Sequence, residues 1–192
     1  MYSKAVSSRI LACLFFSFFF YNFSLAQFKK TSVESIRPVL EKVIGSATQE
    51  FVSIRGEQIP ADPGTIQYLS VAEVPSALET KIIGYSGSTS NYWVWESKLL
   101  TTDDFNELKK VYRQYFNDIS GGAIKTVDRK YISSEKYESP VEEMRQCINQ
   151  FSVSGSEVSN ETLTIDLVAE NVMFEWIIWL RVYDKKKMFA DQ

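Results

Sequence analysis

The chain of 192 residues contains no histidine. Because histidine is the commonest general base near neutral pH, its absence excludes catalytic systems of the Ser-His-Asp and Cys-His kinds. Zinc sites that contain histidine are excluded for the same reason. Any hydrolytic chemistry would have to use carboxylates, lysine, tyrosine or an atypical Ser-Lys pair. The chain also lacks a calcium-loop spacing and a glycine-rich phosphate or dinucleotide motif, so the sequence predicts no catalytic residue, metal or cofactor.

Cysteine is almost as scarce, with only Cys13 and Cys147 in the chain. Cys13 lies in an N-terminal segment that we expect to be removed, which leaves one thiol and no intramolecular disulfide. Cys147 follows Met144 by three residues and precedes Phe151 by four, which is the spacing of one helix face. We therefore predict that Cys147 is buried on an apolar helix face. The alternative is a reactive thiol or one paired with another molecule.

Basic clusters are also few. Residues 27–192 carry 19 basic and 24 acidic side chains, a net charge of −5 at pH 7. The one basic run, residues 185–187, is predicted to be a solvated tail after the last strand. Phosphate contacts need concentrated lysine and arginine, so we expect no nucleic-acid partner.

The first 26 residues have the pattern of a secretory signal peptide. Lys4 and Arg9 form a basic start without an acid, and residues 10–23 are an apolar run rich in phenylalanine. Ser24 and Ala26 supply small residues at the −3 and −1 positions, so cleavage is predicted before Gln27. The mature protein is therefore expected to be secreted or periplasmic.

Two alternatives to cleavage before Gln27 stay open for this segment. The first is a retained membrane anchor, although an apolar run of about 14 residues is shorter than the roughly 20 that span a bilayer. The second is a lipoprotein leader ending at Cys13, although Cys13 precedes most of the apolar run. A phenylalanine-rich run ending in Ala-Gln resembles the leaders of exported bacterial proteins. We therefore expect a bacterial source and no stable membrane span after cleavage.

Hydrophobic periodicity predicts a mixture of helices and strands after the leader. Apolar residues at three- and four-residue steps predict helices over 31–44 and 102–119, and Ser139-Pro140 predicts a shorter helix over 139–150. Alternation predicts strands over 51–55, 66–71, 81–85, 92–99, 123–132, 151–154, 162–169 and 173–183. Glycine and proline predict loops over 56–64 and 84–90, and a tight hairpin is expected at 169–172.

Single residues predict where the helices begin and end. Pro38 is tolerated if the first regular helix begins within 35–37, which places it in the first turn. Gly45 is predicted to end this helix and Gly121 to end the second one. Thr102 is predicted to cap the second helix, ahead of two acidic residues that complement its dipole.

The order of these elements predicts an α+β fold. Strands come in consecutive runs rather than alternating with helices, which favours an antiparallel sheet. We expect about six to eight strands, with the two main helices packed on one face of the sheet. The length of 27–192 suits one domain with its own core.

The aromatic residues are the candidates for binding. All four tryptophans fall on predicted strands, where alternation places Trp93 and Trp95 on one face and Trp176 and Trp179 on opposite faces. Exposed rings on a sheet can stack on sugars or anchor a protein partner. The predicted binding residues are Tyr92, Trp93, Trp95, Trp176 and Trp179. The alternative is ordinary core and cross-strand packing.

Carboxylates offer the one route to hydrolysis. The acids near predicted sheet ends or helix starts are Glu96, Asp103, Asp104, Asp166 and Glu175. A glycosidase needs two of them on opposite sides of one bond, which the sequence does not establish. We therefore expect an exported, non-enzymatic binding or envelope-accessory domain with an unknown protein or glycan partner. The alternative is a carboxylate-based hydrolase that acts on a glycan or cell-wall polymer.

Export predicts a defined N-terminus for the mature protein. Sequencing of the protein isolated from its native host should begin at Gln27 or at the pyroglutamate formed from it. A mature chain that keeps Met1, or that begins at a lipidated Cys13, would contradict this assignment.

Overall fold

Alternation of inward and outward side chains organises the chain into one antiparallel sheet. The computed structural model describes residues 34–87, 91–121, 124–126, 129–133, 136–154 and 163–188. All of them lie in a compact unit that spans Val33–Gln192. The predicted signal peptide, 1–26, lies outside the described residues, and the assignment of one domain to 27–192 stays a prediction.

Nine strands of the described part of the chain pair in the order β1-β2-β3-β4-β9-β8-β7-β6-β5, and neighbouring strands are antiparallel. Their bounds are β1 Arg55–Ile59, β2 Thr65–Ser70, β3 Glu79–Ser86, β4 Asn91–Thr102, β5 Ile124–Thr126, β6 Arg129–Ser133, β7 Gln146–Ser154, β8 Leu163–Val172 and β9 Glu175–Asp184. The first four strands and the last five form two meanders that meet where β4 pairs with β9. The predicted antiparallel α+β class is confirmed, and the seven strands outside the short β5–β6 pair agree with the expected six to eight.

In the described ranges, three helices accompany the sheet: α1 Arg37–Ala47, α2 Phe105–Ser120 and α3 Lys185–Met188. α1 begins at Arg37 with Pro38 in its first turn, as predicted. It continues through Gly45, so the prediction that Gly45 ends it is wrong. Ser46 and Ala47 extend the helix past Gly45. Ser46 is buried, and its Oγ lies 2.7 Å from Ser53 Oγ. Within the described residues, no helix is long and apolar enough to cross a membrane.

The N-terminus of α2 is capped by Asp104 rather than by the predicted Thr102. The Asp104 carboxylate accepts hydrogen bonds from the backbone N–H groups of Asn106 and Glu107. Thr102 Oγ1 instead accepts from Asp104 N and donates to Glu107 Oε2. The helix begins three residues later than predicted because Thr102 is still the last residue of β4.

The predicted apolar stripe of α2 is confirmed, and it joins alternate residues of the central strands in one core. Its buried residues are Leu108, Tyr112, Tyr115, Phe116 and Ile119. They share a hydrophobic cluster with Trp95, Leu167, Ile178, Leu180 and Val182. We call the sheet face that carries these strand residues the core face, and the opposite one the second face. That both main helices pack on one face stays a prediction.

The segment 51–59 differs from its prediction. Val52–Ile54 is a 3-10 turn, and the first strand, Arg55–Ile59, begins at the last residue of the predicted strand 51–55 and continues into the predicted loop 56–64. Phe51 has a left-handed backbone with φ of 61°, which breaks an extended run. Phe51 and Ile54 are both buried at a spacing of three, which suits a 3-10 turn rather than a strand. β1 forms by pairing with β2 at the edge of the sheet, and no hydrophobic pattern in the sequence predicts this pairing.

The predicted helix over 139–150 is also wrong. Residues 136–145 are not helical, and β7 begins at Gln146 and pairs with β8. Asn149 holds the preceding segment through two hydrogen bonds, in which Glu138 N donates to its Oδ1 and its Nδ2 donates to Glu138 O. Non-local pairing therefore outweighs the local capping signal of Ser139-Pro140. Cys147 is buried as predicted, but on a strand instead of a helix.

Two further strand predictions need correction. The tight hairpin predicted at 169–172 lies at Met173 and Phe174, because pairing of β8 with β9 continues to Val172 and Glu175. The predicted strand 123–132 is divided into β5 and β6, and residues 123 and 127–128 lie outside the described residues.

A buried polar group ties α2 to the sheet. Tyr112 Oη donates a 2.8 Å hydrogen bond to Leu167 O. The same oxygen accepts hydrogen bonds from the backbone N–H and the side-chain amide of Asn149. Because a buried polar group without partners is costly, these bonds fix the rotation of α2 against β7 and β8.

Candidate functional site

Two of the five predicted binding residues lie in the core. Trp95 is fully buried, and its Nε1 donates a 3.0 Å hydrogen bond to Ser70 Oγ. Trp176 is also buried, and its ring centroid lies 5.0 Å from that of Phe105 at the start of α2. These two rings therefore pack in the core, which was the alternative given for the tryptophans.

Trp93 is half-buried on the core face. The Arg55 guanidinium lies 3.6 Å from the centroid of its ring. Across the β3–β4 pair, Gly84 leaves room for that ring, since a Cβ at Gly84 would come within 2.5 Å of it. Glycine at position 84 is thus required by the close approach of a tryptophan rather than by a loop.

A cavity of about 250 Å³ lies beside Trp93, between the end of α1 and the ends of β8 and β9. Its lining residues are Ala47, Thr48, Glu50, Phe51, Trp93, Leu163, Asp184 and Lys187. Lys187 Nζ and Glu50 Oε1 form an ion pair of 3.5 Å at this cavity. Its volume is below the roughly 300–1,000 Å³ of most small-molecule sites, so we place the candidate site elsewhere.

Tyr92 and Trp179 lie on the second face, apart from the other three predicted binding residues. Tyr92 stacks on its cross-strand partner Tyr85, with ring centroids 4.7 Å apart and planes 12° from parallel. Trp179 Nε1 donates a 2.6 Å hydrogen bond to Glu170 Oε1. Lys98 and Arg181 place their cationic groups 5.4 and 5.5 Å from the Trp179 ring centroid. Both Tyr92 and Trp179 are half-buried.

Between these aromatic groups, five cross-strand neighbours form a line across β3, β4, β9, β8 and β7. They are Lys81, Glu96, Arg181, Asp166 and Gln150, and each is paired in register with the next. Directly paired residues point to the same side of a sheet, so all five lie on the second face. We call this set the polar row.

The members of the polar row bind one another. Arg181 Nε donates to Glu96 Oε2 at 2.6 Å, and Lys81 Nζ lies 3.9 Å from Glu96 Oε1. Asp166 accepts at both oxygens, from Gln150 Nε2 at 2.9 Å and from Tyr183 Oη at 2.7 Å. Both carboxylates are buried, so these donors offset the cost of removing them from water.

The five candidate acids do not gather at one point. Glu96 and Asp166 share the second face, but β9 separates their strands and Arg181 lies between them. Strands lie about 4.8 Å apart, so the two backbones are about 10 Å apart. Asp103 and Asp104 lie at the start of α2, and Glu175 lies beside the β8–β9 turn. Among the described residues, no group of three or more acidic or cysteine side chains is placed to hold a metal.

Burial raises the pKa of several groups. It is the first cause for the phenols of Tyr85, Tyr112, Tyr115 and Tyr183 and for the thiol of Cys147. For Tyr183, the hydrogen bond to Asp166 and the charge of that carboxylate raise the pKa further. For Tyr85, the charge of Glu96 adds to burial. The thiol of Cys147 is therefore disfavoured as a nucleophile.

Sequence reasoning missed most of this site. Lys81, Tyr85, Gln150, Arg181 and Tyr183 were not among the predicted residues. The alternation of β9 does place Arg181 and Tyr183 on the face of Trp179, and this signal is present in the sequence. The register that aligns them with Glu96 and Asp166 depends on pairing between distant strands, which one sequence does not reveal.

Comparison with models of known protein families, with curated proteins and with solved structures finds no match to this chain.

The raised phenol pKa values predict loss of stability at alkaline pH. Below the ordinary tyrosine pKa of 10.0 both states are protonated, and above it the unfolded chain releases protons that the folded state holds. The free energy of unfolding should therefore begin to fall near pH 9, where the Cys147 thiol of the unfolded chain releases its proton, and should fall more steeply as pH rises through 10. Urea unfolding from pH 8 to 11 measures this decline.

Two variants assign this pH dependence to residues. Tyr183→Phe and Tyr112→Phe each remove one phenol, so the decline above pH 10 should be shallower in each variant than in wild type. Stability that does not change up to pH 11, or a slope equal to that of wild type in both variants, would contradict the assignment.

Proposed function

We propose that this chain is an exported, non-enzymatic binding domain whose second face contacts a glycan or protein partner. The observation that carries this proposal is the polar row, in which charges of opposite sign alternate from Lys81 to Asp166 and end at the amide of Gln150, on the same face as the Tyr85–Tyr92 stack and Trp179. Binding faces for polar partners combine rings with such directional groups.

The internal bonding of the polar row argues against catalysis. A general acid or nucleophile must be able to reach a substrate atom. Glu96 is held by Arg181, and both oxygens of Asp166 are occupied by donors from within the chain. An ion pair whose groups already bind each other keeps one geometry. A ligand can therefore bind such a surface without the cost of reordering its side chains, which suits recognition.

A glycan is the partner that fits this surface best. Ring faces such as those of Tyr92 and Tyr85 stack on the apolar faces of sugars, while the half-buried Lys81, Arg181 and Gln150 can bind hydroxyls. The row crosses five strands, which at about 4.8 Å per strand is about 19 Å from end to end. That length matches a chain of several sugar units rather than a single one.

The binding test uses soluble polysaccharides and peptidoglycan fragments, with affinity measured by calorimetry. We expect Tyr92→Ala and Trp179→Ala each to weaken binding about tenfold, which corresponds to the loss of one ring contact. Tyr92→Phe keeps the ring and should bind as wild type does. Leu78→Ala, which changes an exposed apolar residue outside the row, is the matched control.

The same panel separates binding from hydrolysis. Product analysis after long incubation should show intact substrates with wild-type protein. Cleavage that Glu96→Gln or Asp166→Asn abolishes would support the hydrolase instead. Unchanged affinity for every probe in Tyr92→Ala and Trp179→Ala would show that the second face is not the binding surface.

A further inference from the structure

The turn between β8 and β9 places two large apolar residues in a conformation that large side chains avoid. Val172 pairs with Glu175, so Met173 and Phe174 alone form the turn. Their φ angles are 51° and 73°, both in the left-handed region. Two-residue hairpin turns with two positive φ angles favour Asn-Gly, because a Cβ is unfavourable there.

These two residues are also the most exposed large apolar residues described. Met173 is 89% exposed and Phe174 is 91% exposed. Their side chains therefore contribute no burial that would compensate for the unfavourable backbone. Strain of this kind persists at positions where another requirement selects the residues.

Three more exposed apolar residues lie at the same end of the sheet. Asn171 N donates a 2.9 Å hydrogen bond to Arg145 O, which places the turn at 141–145 beside the end of β8. Val141 and Met144, on that turn, are about two-fifths exposed, as is Val172 on β8. We call Val141, Met144, Val172, Met173 and Phe174 the apolar tip.

Acidic residues surround the apolar tip. Glu142 and Glu143 lie between its members on the 141–145 turn, and Glu175 follows Phe174 directly. Asp103 follows Thr102, which pairs with Trp176 at the start of β9. All four acids are exposed, and Arg145 is the basic residue on the 141–145 turn. The surface around the apolar tip, which we call its acidic rim, therefore carries an excess of negative charge.

We propose that the apolar tip inserts into an apolar pocket of a partner protein, and that the rim of this pocket carries lysine or arginine. Two adjacent projecting side chains fit a concave site better than a flat one, and such anchors dominate binding energy. Opposite charge at the rim gives orientation and speeds association. This contact does not include the residues of the polar row and does not depend on the glycan proposal.

Two other occupants fit these charges less well. Anionic lipid headgroups would be repelled by the acidic rim, so a bacterial membrane surface is disfavoured. In a symmetric dimer the same acidic patch would face itself, which brings like charges together. A partner with basic residues at its rim avoids both costs.

The first experiment locates the partner surface directly. A photoreactive benzoyl-phenylalanine replaces Phe174 in the full chain, and crosslinking is carried out in cells of the native host. We expect a single major adduct, mapped by mass spectrometry to an apolar pocket of another protein that has lysine or arginine at its rim. An adduct with a second copy of this chain, or a surface without basic residues, would overturn the proposal.

The second experiment separates binding from folding. The double variant Met173→Asn with Phe174→Gly supplies the residues that the turn conformation favours, so its melting temperature should be higher than that of wild type. Its affinity for the purified crosslinked partner should fall at least tenfold. Leu78→Ser, at an exposed apolar residue outside the tip, should leave that affinity unchanged.

Three results would overturn the proposal in this second experiment. The first is a double variant that binds the partner as tightly as wild type. The second is an affinity that does not decrease as salt concentration rises, because attraction between charged rims is screened by salt. The third is binding of wild-type protein, but not of the double variant, to vesicles of phosphatidylglycerol or phosphatidylcholine, which would assign the tip to a lipid surface.

Discussion

Antiparallel pairing of β4 with β9 is the constraint on which the rest of the structure depends. It joins the first meander to the second and sets the register of both central strands. In that register Trp95 pairs with Val182 on the core face, while Glu96 pairs with Arg181 on the second face. A shift of β9 by one residue would move Arg181 to the core face and Val182 to the second face, which would separate Arg181 from Glu96. The hydrophobic side of the sheet therefore fixes the position of every polar group opposite it.

The two faces of the sheet have different kinds of stabilisation. The core face is held by apolar burial and by the hydrogen bonds between Tyr112 and the strands β7 and β8. The second face combines buried apolar residues, Ile83, Val94, Val168 and Ile177, with an ordered set of charged and amide groups. Replacing this row by apolar residues would remove the cost of burying its charges, so its contribution to stability alone does not explain it. The proposed recognition of a polar partner would account for it.

The sequence predicts the fold well where the pattern is long and local. The stripe of α2 and the alternation of β4, β8 and β9 give their existence and their faces, because periodicity alone decides them. Prediction fails at 51–59 and 139–150, where pairing with distant strands or a left-handed Phe51 outweighs local signals. The residues of the candidate site also divide into those that local patterns predict and those that depend on distant strand pairing. Tyr92 and Trp179 are found as aromatic residues on predicted strands, while the alignment of Lys81, Gln150 and Arg181 with the two carboxylates depends on register across five strands.

The separation of the four tryptophans between the two faces is tested most directly by fluorine NMR. Protein labelled with 5-fluorotryptophan gives four resonances, and single tryptophan-to-phenylalanine variants assign them. A soluble paramagnetic agent should broaden the Trp179 signal, on the second face, while the Trp95 signal keeps its width. If Trp95 were broadened as much as Trp179, the buried core face and the two-face arrangement of β4 and β9 would be contradicted.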